Sequence, residues 1–128
     1  MIQLRLDVLR KPLGLSFTLD ELKKEKEDIL LGAFEEEHLL ACCVLTPADN
    51  SVIQLRQMAV QNNIQGRGVG AILLRFAENI ARDRGYSYMT MHARESAAGF
   101  YEQNGYEIDG EQFIEVTIPH YKMVKKIK

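Results

Sequence analysis

Three glycines fall within five positions where a strand-like run gives way to a helical one, in Val60-Gln-Asn-Asn-Ile-Gln65-Gly66-Arg67-Gly68-Val69-Gly70-Ala71. Glycine lets a backbone turn tightly and approach a ligand with no Cβ in the way. The first amides of a helix have no internal partners, and the helix dipole turns its positive end outward. A glycine loop at such a junction suits phosphate or pyrophosphate, to which Arg67 can add a charge-assisted hydrogen bond. The same glycines also serve a plain tight turn between strand and helix. Gly66, Gly68 and Ala71 spell the G-x-G-x-x-A of a dinucleotide fold, but the surroundings disagree. Three antiparallel strands are expected before the loop, and the strand after the helix ends in His92-Ala-Arg94 rather than in an acidic residue. No Gly-Lys-Ser/Thr follows, so the loop is not a nucleotide P-loop.

The elements around this loop must hold it in place. Val69, Ile72, Leu73, Phe76, Ala77 and Ile80 recur at helical spacing, Arg75, Glu78, Asn79 and Arg82 take the opposite face, and Gly85 ends the helix. Upstream, Asp28 to Phe34 and Leu39 to Leu45 are apolar runs joined by Glu35-Glu-Glu-His38, an antiparallel pair with a solvated, charged turn. Pro47-Ala-Asp-Asn50 is a second turn and Val52 to Val60 a third strand. Downstream, Tyr86 to His92 reads as a strand and Ser96 to Gln103 as a short helix stopped by Asn104-Gly105. Tyr106 to Ile108 and Phe113 to Ile127 read as strands, the last broken or bulged at Pro119.

Two helices are predicted near the N-terminus. Ile2, Leu4 or Leu6, and Leu9 share one face over residues 1–10 until Pro12 and Gly14 interrupt it. Thr18 and Glu21 spell a capping box for a second, short helix. Strands before, between and after helices make a mixed α/β, α+β-like domain around one sheet.

At 128 residues, with 46% hydrophobic and 27% charged side chains, the chain makes one globular domain over residues 1–128. Its 16 basic and 18 acidic residues leave a net charge of -2, which argues against a broad nucleic-acid footprint. No apolar run approaches the roughly 18–20 residues that span a bilayer, and the charged start lacks the apolar stretch of a signal peptide. A cytoplasmic protein that does not enter membranes is expected. Cys42 and Cys43 are neighbours in an apolar run and point to opposite faces, as two reduced thiols rather than a disulfide. No metal site is predicted.

Gln65-Gly-Arg-Gly68-Val-Gly70 resembles the [Arg/Gln]-x-x-G-x-[Gly/Ala] signature of the GNAT superfamily of N-acetyltransferases. Leu55-Arg-Gln-Met58-Ala59-Val60 looks like that family's fourth strand, and Phe100-Tyr101-Glu-Gln-Asn-Gly105-Tyr106 like its F-Y-x-x-x-G-F segment. The ending Ile118-Pro119-His120-Tyr-Lys-Met123 is similar to a bacterial branch of the family. The likeness is good from residue 52 onward and weaker over Leu4 to Leu9 and Asp28 to Val44. Two departures stand out. The family's first strand normally precedes the helix predicted at residues 1–10, so a missing or short N-terminal strand is expected. Arg94 stands where relatives often have Asn or Gln.

The resemblance implies a mostly antiparallel sheet with helices on both faces. Acetyl-CoA would lie in a V-shaped opening between two splayed strands, one ending at Val60 and the other beginning near Tyr86. Backbone groups of Met58, Ala59 and Val60 would pair with the thioester and pantetheine arm. Gln65, Gly66, Arg67, Gly68, Val69, Gly70 and Ala71 would hold the pyrophosphate, and Arg94 would reach a phosphate. Tyr101 becomes the general acid or hydrogen-bond donor to the CoA sulfur, where composition alone reads a core aromatic. For the general base the candidates are His92 near the cofactor arm, His120 on the acceptor side, and Glu21 and Glu25 in the N-terminal segment that lines the acceptor pocket in this family. Each of them also reads as a solvated or satisfied side chain. The acceptor is an amine of a small molecule or a protein, and the alternative is a CoA-binding sensor without turnover. An uncovered edge strand is a candidate for pairing in a homodimer.

Overall fold

The computed structural model describes residues 3–5, 15–22, 28–61 and 68–128. In chain order its elements are β1 (Gln3–Arg5), β2 (Leu15–Leu22), β3 (Asp28–Glu35), β4 (His38–Pro47), β5 (Val52–Val60), α1 (Val69–Asp83), β6 (Tyr88–Arg94), α2 (Glu95–Gln103), β7 (Glu107–Ile108), β8 (Phe113–Glu115) and β9 (Ile118–Lys126). The strands form one sheet in the order β1-β2-β3-β4-β5-β6-β9-β7, with β8 added to β9. All pairs are antiparallel except β5 with β6, which the crossover through α1 makes parallel. No helix among the described residues is long and apolar enough to cross a membrane.

Burial of alternate residues decides which face of the sheet is covered. Ile29 pairs with Leu45, Leu31 with Cys43, Leu45 with Leu55, Ile53 with Met89 and Met91 with Met123, and all of these side chains are buried. Helix α1 lies over β3, β4 and β5, and α2 over β6 and β9. Both sit on the same face, since Tyr106, just past α2, bonds to Glu78 of α1. Cover for the other face is not among the described helices.

The period of α1 buries Val69, Leu73, Phe76 and Ala77 as predicted. Glu78 departs from the prediction: periodicity puts it with the solvated residues, yet it is 4% exposed. Its carboxylate accepts from Tyr106 Oη at 2.8 Å and from Lys125 Nζ at 3.1 Å, and these partners allow the burial. The helix closes with Gly85 at φ 93, so that the amides of Gly85 and Tyr86 reach the carbonyls of Arg82 and Ala81 at 3.0 and 3.1 Å. Helix α2 closes in the same way at Gly105, and the Tyr106 amide lands on the Tyr101 carbonyl at 3.0 Å.

The N-terminal helices predicted from the sequence are corrected. Gln3–Arg5 is a strand, with the rest of residues 1–10 outside the described residues. Thr18 and Glu21 lie in β2, which pairs with β3 from Leu15↔Glu35 to Leu22↔Asp28. The spacing of Leu15, Phe17 and Leu19 is a period of two, and a full row of ladder bonds outweighs one capping box. Beyond β3 the sheet carries β2 and the three-residue β1. The single strand predicted over Phe113 to Ile127 is a hairpin, in which β8 turns into β9 through Val116 and Thr117 at φ 49 and 62.

Candidate active site

Strands β5 and β6 run together only from Val52↔Tyr88 to Gln54↔Thr90 and then part. The cause lies in the ladder of β5 with β4. Between Val44↔Arg56 and Cys42↔Ala59, Cys43 alone stands opposite both Gln57 and Met58, a β-bulge with Gln57 at φ 52. A bulge bends its strand and raises the local twist, which swings the end of β5 away from β6. The two adjacent polar residues Arg56-Gln57 interrupt the alternation of this strand and are the signal that would have located the bulge.

The parting opens a cavity of about 660 Å³, lined by Met58 and Val60 of β5, by Gly68 to Ala71 at the start of α1, and by Ala97, Phe100 and Tyr101 of α2. Gly68 sits at φ 80 ahead of α1, and its carbonyl takes the Ile72 amide at 3.1 Å. A Cβ on Gly70 would lie 3.4 Å from both Phe100 and Val60, so the lack of a side chain there keeps the cleft open at its narrow part. Among the described residues the pairing of β6 with β5 ends at Gln54, and beyond it an extended ligand could join the edge of β5 that faces the gap. On these observations the residues present fit an elongated, phosphate-bearing ligand such as acetyl-CoA.

Tyr101 brings a hydroxyl into this cleft, which Gln103 and Asn104 also line. Its side chain is 9% exposed and packs edge-on against Phe100 and Tyr106. Its hydroxyl donates to Met58 Sδ at 3.6 Å. Burial, with the Cys43 thiol as a smaller cause, pushes its pKa up to about 12, so the hydroxyl keeps its proton at any physiological pH. Tyr106 behind it is held by Glu78 and Lys125, and Lys125 also caps the Asn104 carbonyl at 3.0 Å. This buried network ties α1, the end of α2 and β9 together under the cleft.

His92 and His120 come together on the opposite face of the sheet. In β6 the buried Met89, Met91 and Ala93 alternate with Thr90, His92 and Arg94, and Arg94 pairs in register with His120. Glu115 of β8 joins the two imidazoles, with Oε1 3.2 Å from His92 Nδ1 and Oε2 3.6 Å from His120 Nε2. Phe113 packs edge-on against His92 and stacks on His120. Sequence reasoning missed Glu115 and Phe113 because the turn after them carries neither glycine nor asparagine.

The other expected residues are placed as follows. Met58, Val60, Gly68, Val69, Gly70, Ala71 and Tyr101 meet in the cleft. Ala59 and Arg94 are exposed and do not line it. Glu21 is in β2, opposite Gln3 and Ile29. Gln65, Gly66, Arg67 and Glu25 lie outside the described residues.

A bulged strand parted from its parallel neighbour over a glycine-led helix defines an acyl-CoA transferase architecture. Residues 4–106 match the acetyltransferase (GNAT) family, and the chain belongs to that family. It is 30% identical over 108 residues to the uncharacterized N-acetyltransferase YjcF of Bacillus subtilis, covering 84% of this chain and 75% of that one. With the uncharacterized protein YyaT of Bacillus subtilis it shares 32% identity over 74 residues, 58% of this chain and 50% of YyaT. The chain thus spans half the length of that relative. Among solved structures, an aminoglycoside 6'-N-acetyltransferase complexed with coenzyme A superposes with a TM-score of 0.74 at 18% identity, over 81% of this chain and 75% of the other. The PaiA N-acetyltransferase of Thermoplasma acidophilum, in complex with coenzyme A, gives 0.67 at 22% identity, over 77% and 60%.

Proposed function

We propose that this chain is an N-acetyltransferase that transfers the acetyl group of acetyl-CoA to a primary amine of a small molecule or a protein. The observation that carries the reading is the parting of β5 and β6 over a cleft lined by a buried tyrosine, whose hydroxyl donates to Met58 Sδ. Acetyl-CoA, when bound, supplies the acetyl group already activated as a thioester. Main-chain groups of Met58 and Val60 would receive its arm along the edge of β5 that faces the gap. Amides from Gly66 to Ala71, with Gln65 and Arg67, would hold the pyrophosphate, and Arg94 is the residue proposed to reach a phosphate from outside the cleft.

The chain's own task is to present a neutral amine, to polarise the carbonyl and to stabilise the departing sulfur. Tyr101 does the last of these. Burial pushes its pKa up to about 12, so it holds its proton and can serve the sulfur as general acid or hydrogen-bond donor. The amine must shed a proton as its nitrogen bonds to the acetyl carbon and the carbon–sulfur bond breaks. His92 and His120 stand on the face from which that amine would approach.

Pairing of a sheet edge with a second copy would use β1 or β7, of three and two residues, and light scattering at working concentration reads it out. Isothermal titration with acetyl-CoA, with NAD as control, is the test of the reading. Saturable one-to-one binding of acetyl-CoA alone, followed by CoA release with some member of an amine panel, is expected. Absence of acetyl-CoA binding by the folded protein would sink the reading. Binding with no release by any amine would favour the CoA-binding sensor instead.

A further inference from the structure

We propose that Glu115 is a positioning residue that makes His92, and not His120, the imidazole able to take the acceptor's proton. This rests on the acetyltransferase reading and deepens it. A carboxylate only accepts hydrogen bonds, so the nitrogen it meets at 3.2 Å, His92 Nδ1, must carry the proton. Nε2 of the same ring then keeps its lone pair. Glu115 lies on β8, beyond β9 and away from β5, so the bonded nitrogen is turned away from the gap and the free one is left on its side. The His92 side chain is 39% exposed, open to an incoming amine.

His120 is disposed differently. Its Nδ1 lies 2.8 Å from the Ile118 carbonyl, an acceptor that obliges it to donate, and its Nε2 faces the Glu115 carboxylate at 3.6 Å. That second contact is longer than a hydrogen bond, and with the side chain only 9% exposed it is burial that keeps Nε2 of this ring from an incoming amine. When Nε2 of His92 takes the proton that the neutral amine sheds as its nitrogen bonds to the acetyl carbon, the ring becomes an imidazolium whose charge Glu115 already faces.

The backbone supplies a second, independent observation. Glu115 is placed by a two-residue turn whose residues, Val116 and Thr117, both hold left-handed backbone angles. β-branched residues avoid that region, and tight hairpins of this kind ordinarily use Asn-Gly. Strain retained next to a residue that joins two imidazoles accords with selection for its placement rather than for stability.

The test is a long-range ¹H–¹⁵N correlation spectrum of histidine-labelled protein at neutral pH, read at His92. The wild type is expected to show the Nδ1–H tautomer. Glu115→Gln, which keeps an oxygen acceptor, should retain it, and Glu115→Ala should shift His92 to the Nε2–H form that a free imidazole prefers. The Kd for acetyl-CoA should stay within about twofold in both variants, because Glu115 lies on the face away from the cleft. An Nε2–H tautomer in the wild type, or an unchanged tautomer in Glu115→Ala that still binds acetyl-CoA, would overturn the proposal. Failure of the wild type to bind acetyl-CoA would instead remove the acetyltransferase reading and leave the tautomer result intact.

Discussion

The two faces of the sheet, at the point where β5 and β6 part, are built on opposite terms. On the helix-covered face, Tyr101 is buried among Phe100, Tyr106 and Met58, and burial keeps its hydroxyl protonated. On the other face His92 and Glu115 are 39% and 43% exposed and form their contacts within reach of water. A donor to a leaving sulfur needs a dry, rigid setting where one hydrogen bond is worth most. A proton acceptor needs a free nitrogen and a path to solvent. The two demands conflict in a single pocket, and the sheet meets them by separating them across its thickness.

Several changes would break or sharpen this contrast. The largest expected effect is on the buried face: Tyr101→Phe should lower kcat by roughly 10²–10³-fold, about 3–4 kcal/mol, with the Kd for acetyl-CoA unchanged by titration. Equal turnover would mean that the donor is elsewhere. Next comes Glu78→Leu, which strands Lys125 and the Tyr106 hydroxyl. It should cost about 3 kcal/mol in urea unfolding, whereas Glu115→Ala on the open face should leave the urea midpoint nearly unmoved.

The third test is pH. Burial raises Cys43 from 9.0 to about 12 and Tyr101 from 10.0 to about 12, so the folded state holds protons that the unfolded chain releases. The stability is complete below pH 9 and declines as pH rises toward 12. A fall of about 2 kcal/mol between pH 8 and pH 10 is expected, and the double variant Cys43→Ala/Tyr101→Phe should remove most of it, the remainder belonging to Tyr106, which burial also pushes up. The smallest effect has the opposite sign. Val116→Asn with Thr117→Gly relieves two left-handed β-branched residues at an exposed turn and should stabilise the fold by about 1–2 kcal/mol, read as a higher Tm.

How much of this could be read in advance varies along the chain. Helix α1 was legible because its apolar positions recur at one period and Gly85 supplies the stop; Phe100-Tyr101 was legible only through its likeness to a family segment. Glu78 was misplaced because periodicity assigns a side chain to a face but cannot foresee partners as distant as Tyr106 and Lys125. Thr18-Glu21 was misread because the capping signal is local, whereas its competitor, the ladder to β3, forms with residues up to twenty positions away. The strand over Phe113 to Ile127 hid its turn because Val116-Thr117 carries no turn chemistry.

By itself the sequence determined the glycine-led junction, the amphipathic helix that follows and the strands that precede it, since periodicity and glycine act through near neighbours along the chain. Tertiary structure alone decided the bulge at Gln57 that opens the cleft, the aim of Tyr101 at Met58, and the meeting of His92, Glu115 and His120. Each of these depends on register between strands, and register is settled only when the whole sheet closes over its core.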